Sequence, residues 1–279
     1  MAEKKQAKGL SRNTIDKFYT KPSAVELCMG FIQQTITINP ATDLIIEPSA
    51  GNGAFIPSIK ALTEHAKFYD LKPENSDDIL EQDYLELDTT DIVKQYPIIH
   101  IIGNPPFGRQ SSLAIKFIKK SCQFGTSLSF ILPKSFKKES MKARFPPCFH
   151  LLYEMDLPDK SFLVDGVEYD VPCVFQIWLK KDFNRPINKK VEPAGFEFVK
   201  RSEQPDISFR RVGVNAGTVD TAGLDEKSEQ SHYFIRFTNG KTLEKNVKKI
   251  SKIKYAINNT VGPRSISKQE LIKEFIMVL

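Results

Sequence analysis

The sequence holds few of the side chains that carry metal and redox chemistry: four cysteines and four histidines in 279 residues. Cys28, Cys122, Cys148 and Cys173 share no C-x-x-C spacing, so no metal is expected. Their neighbours are apolar, which reads as buried free thiols in a reducing, intracellular compartment. His65, His100, His150 and His232 are scattered, and His100, inside an apolar run, reads as a satisfied core histidine. No apolar run approaches the ~20 residues that a bilayer span requires. The opening "MAEKKQAKGLSRN" lacks the apolar segment of a signal peptide, so a soluble protein with no membrane partner is expected. Two nucleotide-binding signatures are missing as well. No Gly-Lys-Ser/Thr follows a glycine turn, which excludes a phosphate loop. Gly51-Asn52-Gly53 is followed by Phe55 and Ile56, so the dinucleotide fingerprint is incomplete. No internal repeat is evident.

What is present is the composition of an ordinary globular chain, 41% hydrophobic and 27% charged. The net charge of +6 is unevenly placed. Residues 181–279 hold 19 Lys and Arg against 12 Asp and Glu, whereas residues 1–180 hold 21 against 22. A near-neutral front and a basic back predict that the back meets a polyanion. The competing reading is an ordinary lysine-rich solvated surface.

Residues 23–36 carry apolar side chains at helical spacing behind Pro22, a favourable first-turn residue. "DLIIEP" (43–48) is a short strand that stops at proline, and "AGNGAFIPSIKAL" (50–62) begins with glycines and turns helical. Strand-like "AKFYDLKP" (66–73) ends at Asp70, and a third short strand is expected within 79–87, before Asp83. "PIIHIIG" (97–103) and "SLSFILP" (127–133) read as buried strands on either side of an amphipathic helix at 111–123. "FHLLYEMDL" (149–157) and "VPCVFQIWL" (171–179) are strands with no clear helix between them. This alternation predicts an α/β fold, a mostly parallel sheet wrapped on both faces. The last two strands predict an antiparallel hairpin at its edge. The polar stretch 181–193, with two prolines, reads as a linker. The organisation expected is a basic flexible tail at 1–16, a main domain at 17–181, and a small basic α+β region at 187–279. That last region has strands in "DISFRRVGVNAGTV" and "SHYFIRFTNG" and a helix in "SKQELIKEFIMVL".

The stretch "IIHIIGNPPFGRQ" (98–110) drives an apolar strand into two prolines. Proline cannot donate to a sheet ladder, so the strand stops there. Asn104, Pro105, Pro106 and Phe107 are then presented stiffly at the carboxyl edge, where open α/β sheets bind ligands. Gly51 and Gly53, in the turn after the first strand, let backbone approach a ligand. Glu47, just ahead of that turn, would repel a diphosphate and suits a cofactor with a cationic centre. Asp70, some twenty residues on, is placed to accept hydrogen bonds from two ribose hydroxyls. Asp83-Tyr84, after the third strand, is within reach of an adenine amino group. A capping or loop aspartate is the plainer alternative at both Asp70 and Asp83.

Taken together, these segments resemble the class I S-adenosylmethionine-dependent methyltransferases. More narrowly, they resemble the nucleic-acid amino-methyltransferases with the D/N/S-P-P-F/Y/W motif. "GNPPFG" matches that motif, and "EPSAGNGAF" (47–55) resembles the cofactor loop of the adenine-N6 subset, near E-P-x-x-G-x-G-x-F. "KFYTKPSAVELCM" (17–29) resembles the segment that precedes this loop. The resemblance covers residues 17–180 and implies a Rossmann-like fold with a seven-stranded sheet. It departs from the restriction-type members at the back, where those carry a larger target-recognition domain. It implies S-adenosyl-L-methionine as cofactor, held by Tyr19, Thr20, Glu47, Ser49, Gly51, Gly53, Phe55, Asp70, Asp83 and Tyr84. Catalysis would fall to Asn104, Pro105, Pro106 and Phe107. Phe162 sits where related enzymes place an aromatic to stack on a flipped base, with ordinary core packing as the alternative. Arg210 and Arg211, with the lysines at 245, 248, 249, 252 and 254, are expected to contact phosphates of a nucleic acid.

The exocyclic amine of adenine is a poor nucleophile because its lone pair is delocalised into the ring. Two acceptors, the Asn104 side-chain oxygen and the Pro105 carbonyl, can redirect that lone pair, and the prolines hold the carbonyl in place. Phe107 can stack on a base taken out of its helix or drawn from a single strand. Asparagine is no strong base, so proton loss would follow methyl transfer. The activity expected is methylation of adenine N6 in DNA, with RNA second. One alternative is a protein methyltransferase acting on a glutamine amide, although those enzymes resemble D-x-G-T-G-S-G in the cofactor loop. The other is a non-catalytic nucleic-acid-binding relic, against which the intact Asn104, Gly51, Gly53 and Asp70 count.

Overall fold

The computed structural model describes residues 18–74, 77–186, 190–255 and 264–279. The tail read at 1–16 lies outside them. The chain divides between residues 187 and 188 into two compact units.

The larger unit opens with a two-residue strand, β1 (Tyr19–Thr20), and a helix, α1 (Pro22–Thr35). Pro22 takes the first helical turn, where its missing N–H costs nothing. Ala24, Val25, Cys28, Met29 and Ile32 form the buried stripe of α1, spaced as one helical face requires. There follow β2 (Leu44–Glu47), a short α2 (Ile56–Lys60), β3 (His65–Asp70), β4 (Ile79–Glu81) and α3 (Thr90–Gln95). The rest is β5 (Ile99–Gly103), α4 (Ser112–Phe124), β6 (Ser127–Pro133), α5 (Glu139–Lys142), β7 (Phe149–Asp156), β8 (Phe162–Val164), β9 (Val167–Tyr169) and β10 (Cys173–Lys180). The helix expected over 50–62 is only five residues long, because 51–55 are spent on a turn.

Seven strands make one sheet in the order β4-β3-β2-β5-β6-β10-β7. The first five are mutually parallel, and β10 runs antiparallel to both β6 and β7. This is the mostly parallel, Rossmann-like sheet with an antiparallel edge pair. Every residue of β2, β5 and β6 is buried, as strands covered on both faces demand. His100 is a core residue whose Nδ1 lies 2.7 Å from Ser127 Oγ and whose Nε2 lies 3.3 Å from Asp43 Oδ2. From β2 the chain builds outward through β3 and β4, then returns to place β5 on the other side. The switch point, where such folds open a crevice, therefore lies at the carboxyl ends of β2 and β5. A second, small sheet, β1-β8-β9, was not foreseen; in it Thr20 pairs with Phe162.

The smaller unit holds a four-stranded antiparallel sheet of β11 (Phe196–Val199), β12 (Ile207–Arg210), β13 (Val219–Asp220) and β14 (His232–Phe237), in the order β11-β14-β12-β13. Two helices, α6 (Leu243–Ile250) and α7 (Lys268–Val278), contribute to its core. In that core Ile207, Phe209 and Ile235 of the sheet meet Ile250, Leu271 and Phe275. A Ser267–Glu270 capping box starts α7. No helix among the described residues is long and apolar enough to cross a membrane.

Candidate active site

At the switch point of the larger unit lies a cleft of about 530 Å³. It is lined by β1, the turn after β2, the ends of β3 and β4, and the turn after β5. That volume suits a nucleoside-sized ligand. Most residues singled out from the sequence meet on its walls: Tyr19, Thr20, Glu47, Ser49, Gly51, Phe55, Asp70, Asp83, Tyr84, Asn104, Pro105, Pro106 and Phe107. Gly53 shapes the turn from behind, its amide donating to the Ala50 carbonyl at 2.8 Å.

The turn at 50–53 is tied to β3. The Gly51 amide donates to Asp70 Oδ2 at 2.8 Å, and the Lys72 amide donates to Oδ1 at 2.9 Å. Asp70 thus anchors the loops on both sides, and each oxygen retains a further lone pair for a ligand. Gly51 has φ +55°, and the Tyr19 ring lies 3.5 Å from where a Cβ would stand. Tyr19 donates across the cleft to Glu74 Oε2 at 2.5 Å. Asp83 caps a 3-10 turn, its Oδ1 accepting from the Leu85 amide at 2.8 Å.

Glu47 ends β2 and is fully buried. Among the described residues its Oε2 has no hydrogen-bond partner. Burial, and secondly the nearby Asp70 carboxylate, raise its pKa well above the usual carboxylate range. The cleft therefore holds a buried carboxyl group whose charged form is disfavoured while it stays unpaired.

The turn after β5 is the more telling feature. The Asn104 Nδ2 donates to the Phe18 carbonyl at 3.0 Å, which fixes the amide plane. Its Oδ1 is buried and has no partner among the described residues. An unpartnered buried acceptor costs about 1–3 kcal/mol, and such a group in a native structure calls for an explanation. No hydrogen bond ends on the Pro105 carbonyl among the described residues. Phe107 stacks on Phe18 with ring centroids 6.4 Å apart. The loop beyond is tightly wound. The Phe107 carbonyl accepts from the amides of Leu113 and Ala114, while Gly108, Gln110 and Ser111 all have positive φ. At Gly108 a Cβ would stand 2.8 Å from Leu113 Cγ.

One expectation requires correction. Phe162 is fully buried, lies edge-on to Phe18 and is absent from the cleft wall. Its pairing with Thr20 places it behind Phe18, so it is core and offers no stacking face. Tyr84 presents its ring to the cleft, while its hydroxyl is held 2.7 Å from Ser121 Oγ in the core. Arg210 and Arg211 belong to the smaller unit, where their guanidinium groups donate locally to Val212 O and Gln230 O. Phe18 was missed altogether, although it supplies both the carbonyl that holds Asn104 and a ring beside Phe107. No periodicity marks it, because it precedes a strand of two residues. Leu71 was also missed; it lies on the cleft wall beside Asp70 and is 64% exposed.

A family model for the EDM2 methyltransferase-like domain matches residues 31–184. No curated protein matches the sequence. Among solved structures, the chain is 15% identical to a protein from Listeria monocytogenes provisionally described as a class I S-adenosylmethionine-dependent methyltransferase. The TM-score is 0.44, with 64% of this chain and 65% of that one covered. The chain thus spans just under two thirds of that protein's length. A protein from Pyrococcus horikoshii, provisionally described as an RNA methyltransferase, gives 11% identity and a TM-score of 0.42, covering 63% of this chain and 93% of its own. An rRNA methylase from Streptococcus thermophilus gives 10% and 0.37, covering 56% and 96%. These likenesses are too distant to bear on activity.

Proposed function

The chain belongs to the EDM2 methyltransferase-like domain family, and from that premise and the cleft we propose that it transfers a methyl group from S-adenosylmethionine to the N6 amine of adenine in nucleic acid, DNA first and RNA second. The observation that carries this reading is the Asn104 amide, held by the Phe18 carbonyl so that a buried oxygen with no partner lies on the cleft wall.

The residues present fit the cofactor. Glu47, Asp70, Glu74 and Asp83 line the cleft with carboxyl groups, Lys72 being the one lysine or arginine on it among the described residues. That set favours a ligand with positive charge and hydroxyl donors and disfavours a polyphosphate. Glu47 would meet the cationic part, Asp70 would accept from ribose hydroxyls, and Leu71 offers an apolar face to a flat ring. The cofactor, when bound, supplies an electrophilic methyl group on a sulfonium.

This chain's own residues act on the amine. Its two protons point to Asn104 Oδ1 and the Pro105 carbonyl, which turns the nitrogen lone pair toward the methyl group. Both acceptors are fixed in advance, Oδ1 by the Phe18 tether and the carbonyl by the Pro105-Pro106 pair, so little reorganisation accompanies reaction. Phe107 and Phe18 give a flat apolar surface for the base, which leaves its stack to enter. Exposed lysines of the smaller unit, Lys245, Lys248, Lys252 and Lys254, are proposed to contact phosphates. The test is methyl transfer from labelled cofactor to DNA, RNA and protein in parallel, followed by nucleoside analysis. Label in N6-methyladenine supports the reading. Label confined to protein, or equal transfer to oligonucleotides lacking adenine, overturns it.

A further inference from the structure

The near-neutral charge of residues 1–180 conceals a sharp division. Residues 18–91, which supply β1 to β4 and the cofactor side of the cleft, hold 13 Asp and Glu against four Lys and Arg. Residues 92–138, which supply the acceptor turn, α4 and β6, hold eight Lys and Arg and no Asp or Glu at all. A run of 47 residues without a carboxylate is unusual where about a quarter of residues are normally charged. Some of these cations are occupied: Lys134 and Lys137 both pair with Asp156, and Lys120 donates to the Leu87 carbonyl. Arg109, Lys116 and Lys119 are exposed, and none has an ion-pair partner among the described residues.

Their placement is ordered. Ala114, Phe117, Ile118, Ser121 and Cys122 bury one face of α4. Lys116 and Lys119 lie on the opposite face, in line with exposed Ser112, since residues three and four apart share a side of a helix. From Ser112 to Lys119 the helix rises roughly 10 Å. Arg109 stands at the near end, two residues beyond Phe107, in the loop held left-handed at Gln110 and Ser111. Non-glycine residues kept in that region store strain and cluster at functional sites. The loop is closed on itself by the Phe107 carbonyl, so Arg109 is carried at the lip of the acceptor turn.

We infer that Arg109, Lys116 and Lys119 form a cationic track on the larger unit that holds the phosphates of the nucleic-acid strand next to the methylated base. The inference rests on the proposed reading for its substrate class and adds where on the chain the strand is gripped. Charge complementarity chooses the occupant. The cofactor side of the same unit is strongly acidic and repels a polyanion, so the strand must approach from the acceptor side, where this track is. Three cations at intervals along one line match a chain of phosphates better than a single small anion.

The test uses the full-length chain and its Arg109→Gln/Lys116→Gln/Lys119→Gln variant with an adenine-containing single-stranded oligonucleotide. Affinity is measured as a function of salt, with single-turnover methylation at saturating oligonucleotide alongside. Removing three phosphate contacts should lower the slope of log K against log salt by about 2. Affinity at low salt should fall at least tenfold, while the saturated methylation rate and cofactor affinity stay within about twofold. An unchanged slope and affinity in a variant that still methylates overturns the track and leaves the proposed function standing. A wild-type chain that neither binds nor methylates nucleic acid overturns both. A conserved slope here, lost instead on Lys245→Gln/Lys248→Gln/Lys252→Gln, assigns the grip to the smaller unit and refutes the track.

Discussion

Substituting Asn104 separates the proposed acceptor role from an architectural one, and the structure sets the size of each effect. In Asn104→Ala the hydrogen bond to the Phe18 carbonyl is lost, but so is the buried, unpartnered Oδ1. A net hydrogen bond contributes about 0.5–1.5 kcal/mol, and an unsatisfied buried polar atom costs about 1–3 kcal/mol. The two changes oppose each other, so the variant should melt close to the wild type. Catalysis has no such offset. Loss of one positioned partner to the reacting group costs about a hundredfold or more, some 2.7 kcal/mol of barrier. Cofactor affinity should be unchanged, because the role proposed for Asn104 is toward the amine and not toward the cofactor. Asn104→Asp is the sharper probe. It keeps an acceptor on the cleft wall but sets a carboxylate oxygen against the Phe18 carbonyl, 3.0 Å away in the parent. Only the protonated acid can donate to that carbonyl. Partial activity that improves as pH falls is therefore expected. The assay is single-turnover methylation of an adenine-containing oligonucleotide, with methyladenine measured by mass spectrometry and cofactor binding by calorimetry. An Asn104→Ala enzyme with the full rate, or one whose rate falls only as far as its cofactor affinity, refutes the mechanism.

Other substitutions test the cofactor side and the turn. Glu47 holds a raised pKa, so the ligand-free protein binds a proton there that the unfolded chain releases near pH 4.3. That contribution is complete below the unfolded pKa and is lost as pH climbs toward the folded one; Glu47→Gln should flatten the decline in melting temperature above about pH 5 while weakening the cofactor at least tenfold. A variant melting with the wild-type pH dependence would show that Glu47 titrates normally. Asp70→Ala frees the amides of Gly51 and Lys72 and should also weaken the cofactor tenfold or more, as read by calorimetry on folded protein. Gly108→Ala forces a Cβ against Leu113 at positive φ and should cost about 1–3 kcal/mol in denaturant unfolding; a neutral result would mean the loop shifts freely.

Much of the sheet was legible because parallel strands buried on both faces read as continuous apolar runs, and prolines at 48, 105 and 133 punctuate three of them. The strand-end residues Glu47, Asp70, Asp83 and Asn104 were legible for the same reason. What escaped were features made by pairing across long separations. β1 has two residues and no periodicity, yet its partner is β8, more than 140 positions away. Phe18 acts through its backbone carbonyl, which no side-chain pattern reports. Phe162 was misread because only the partner strand decides which way an aromatic at a strand start points. In the smaller unit α6 was lost among its lysines, although Thr242 caps it and the buried Asn246 amide is matched by Asn239.

Charge shows the same limit in another form. Summed over residues 1–180, the acidic and basic stretches cancel, and the positive excess then seems to belong wholly to the back of the chain. The topology undoes that sum. The chain completes β3 and β4 on one side of β2 before crossing to β5 on the other, so the acidic stretch and the carboxylate-free stretch lie on opposite sides of the switch point, and the cleft itself takes only uncharged residues from the second. The proposed transfer from a cationic methyl donor to a polyanion would use this division, the carboxylates drawing the donor and the cations the strand. The uncharged turn at 104–107 lies between the two stretches, at the end of β5. Asn104 is neutral at that boundary. Its amide can accept a hydrogen bond there without adding charge of either sign.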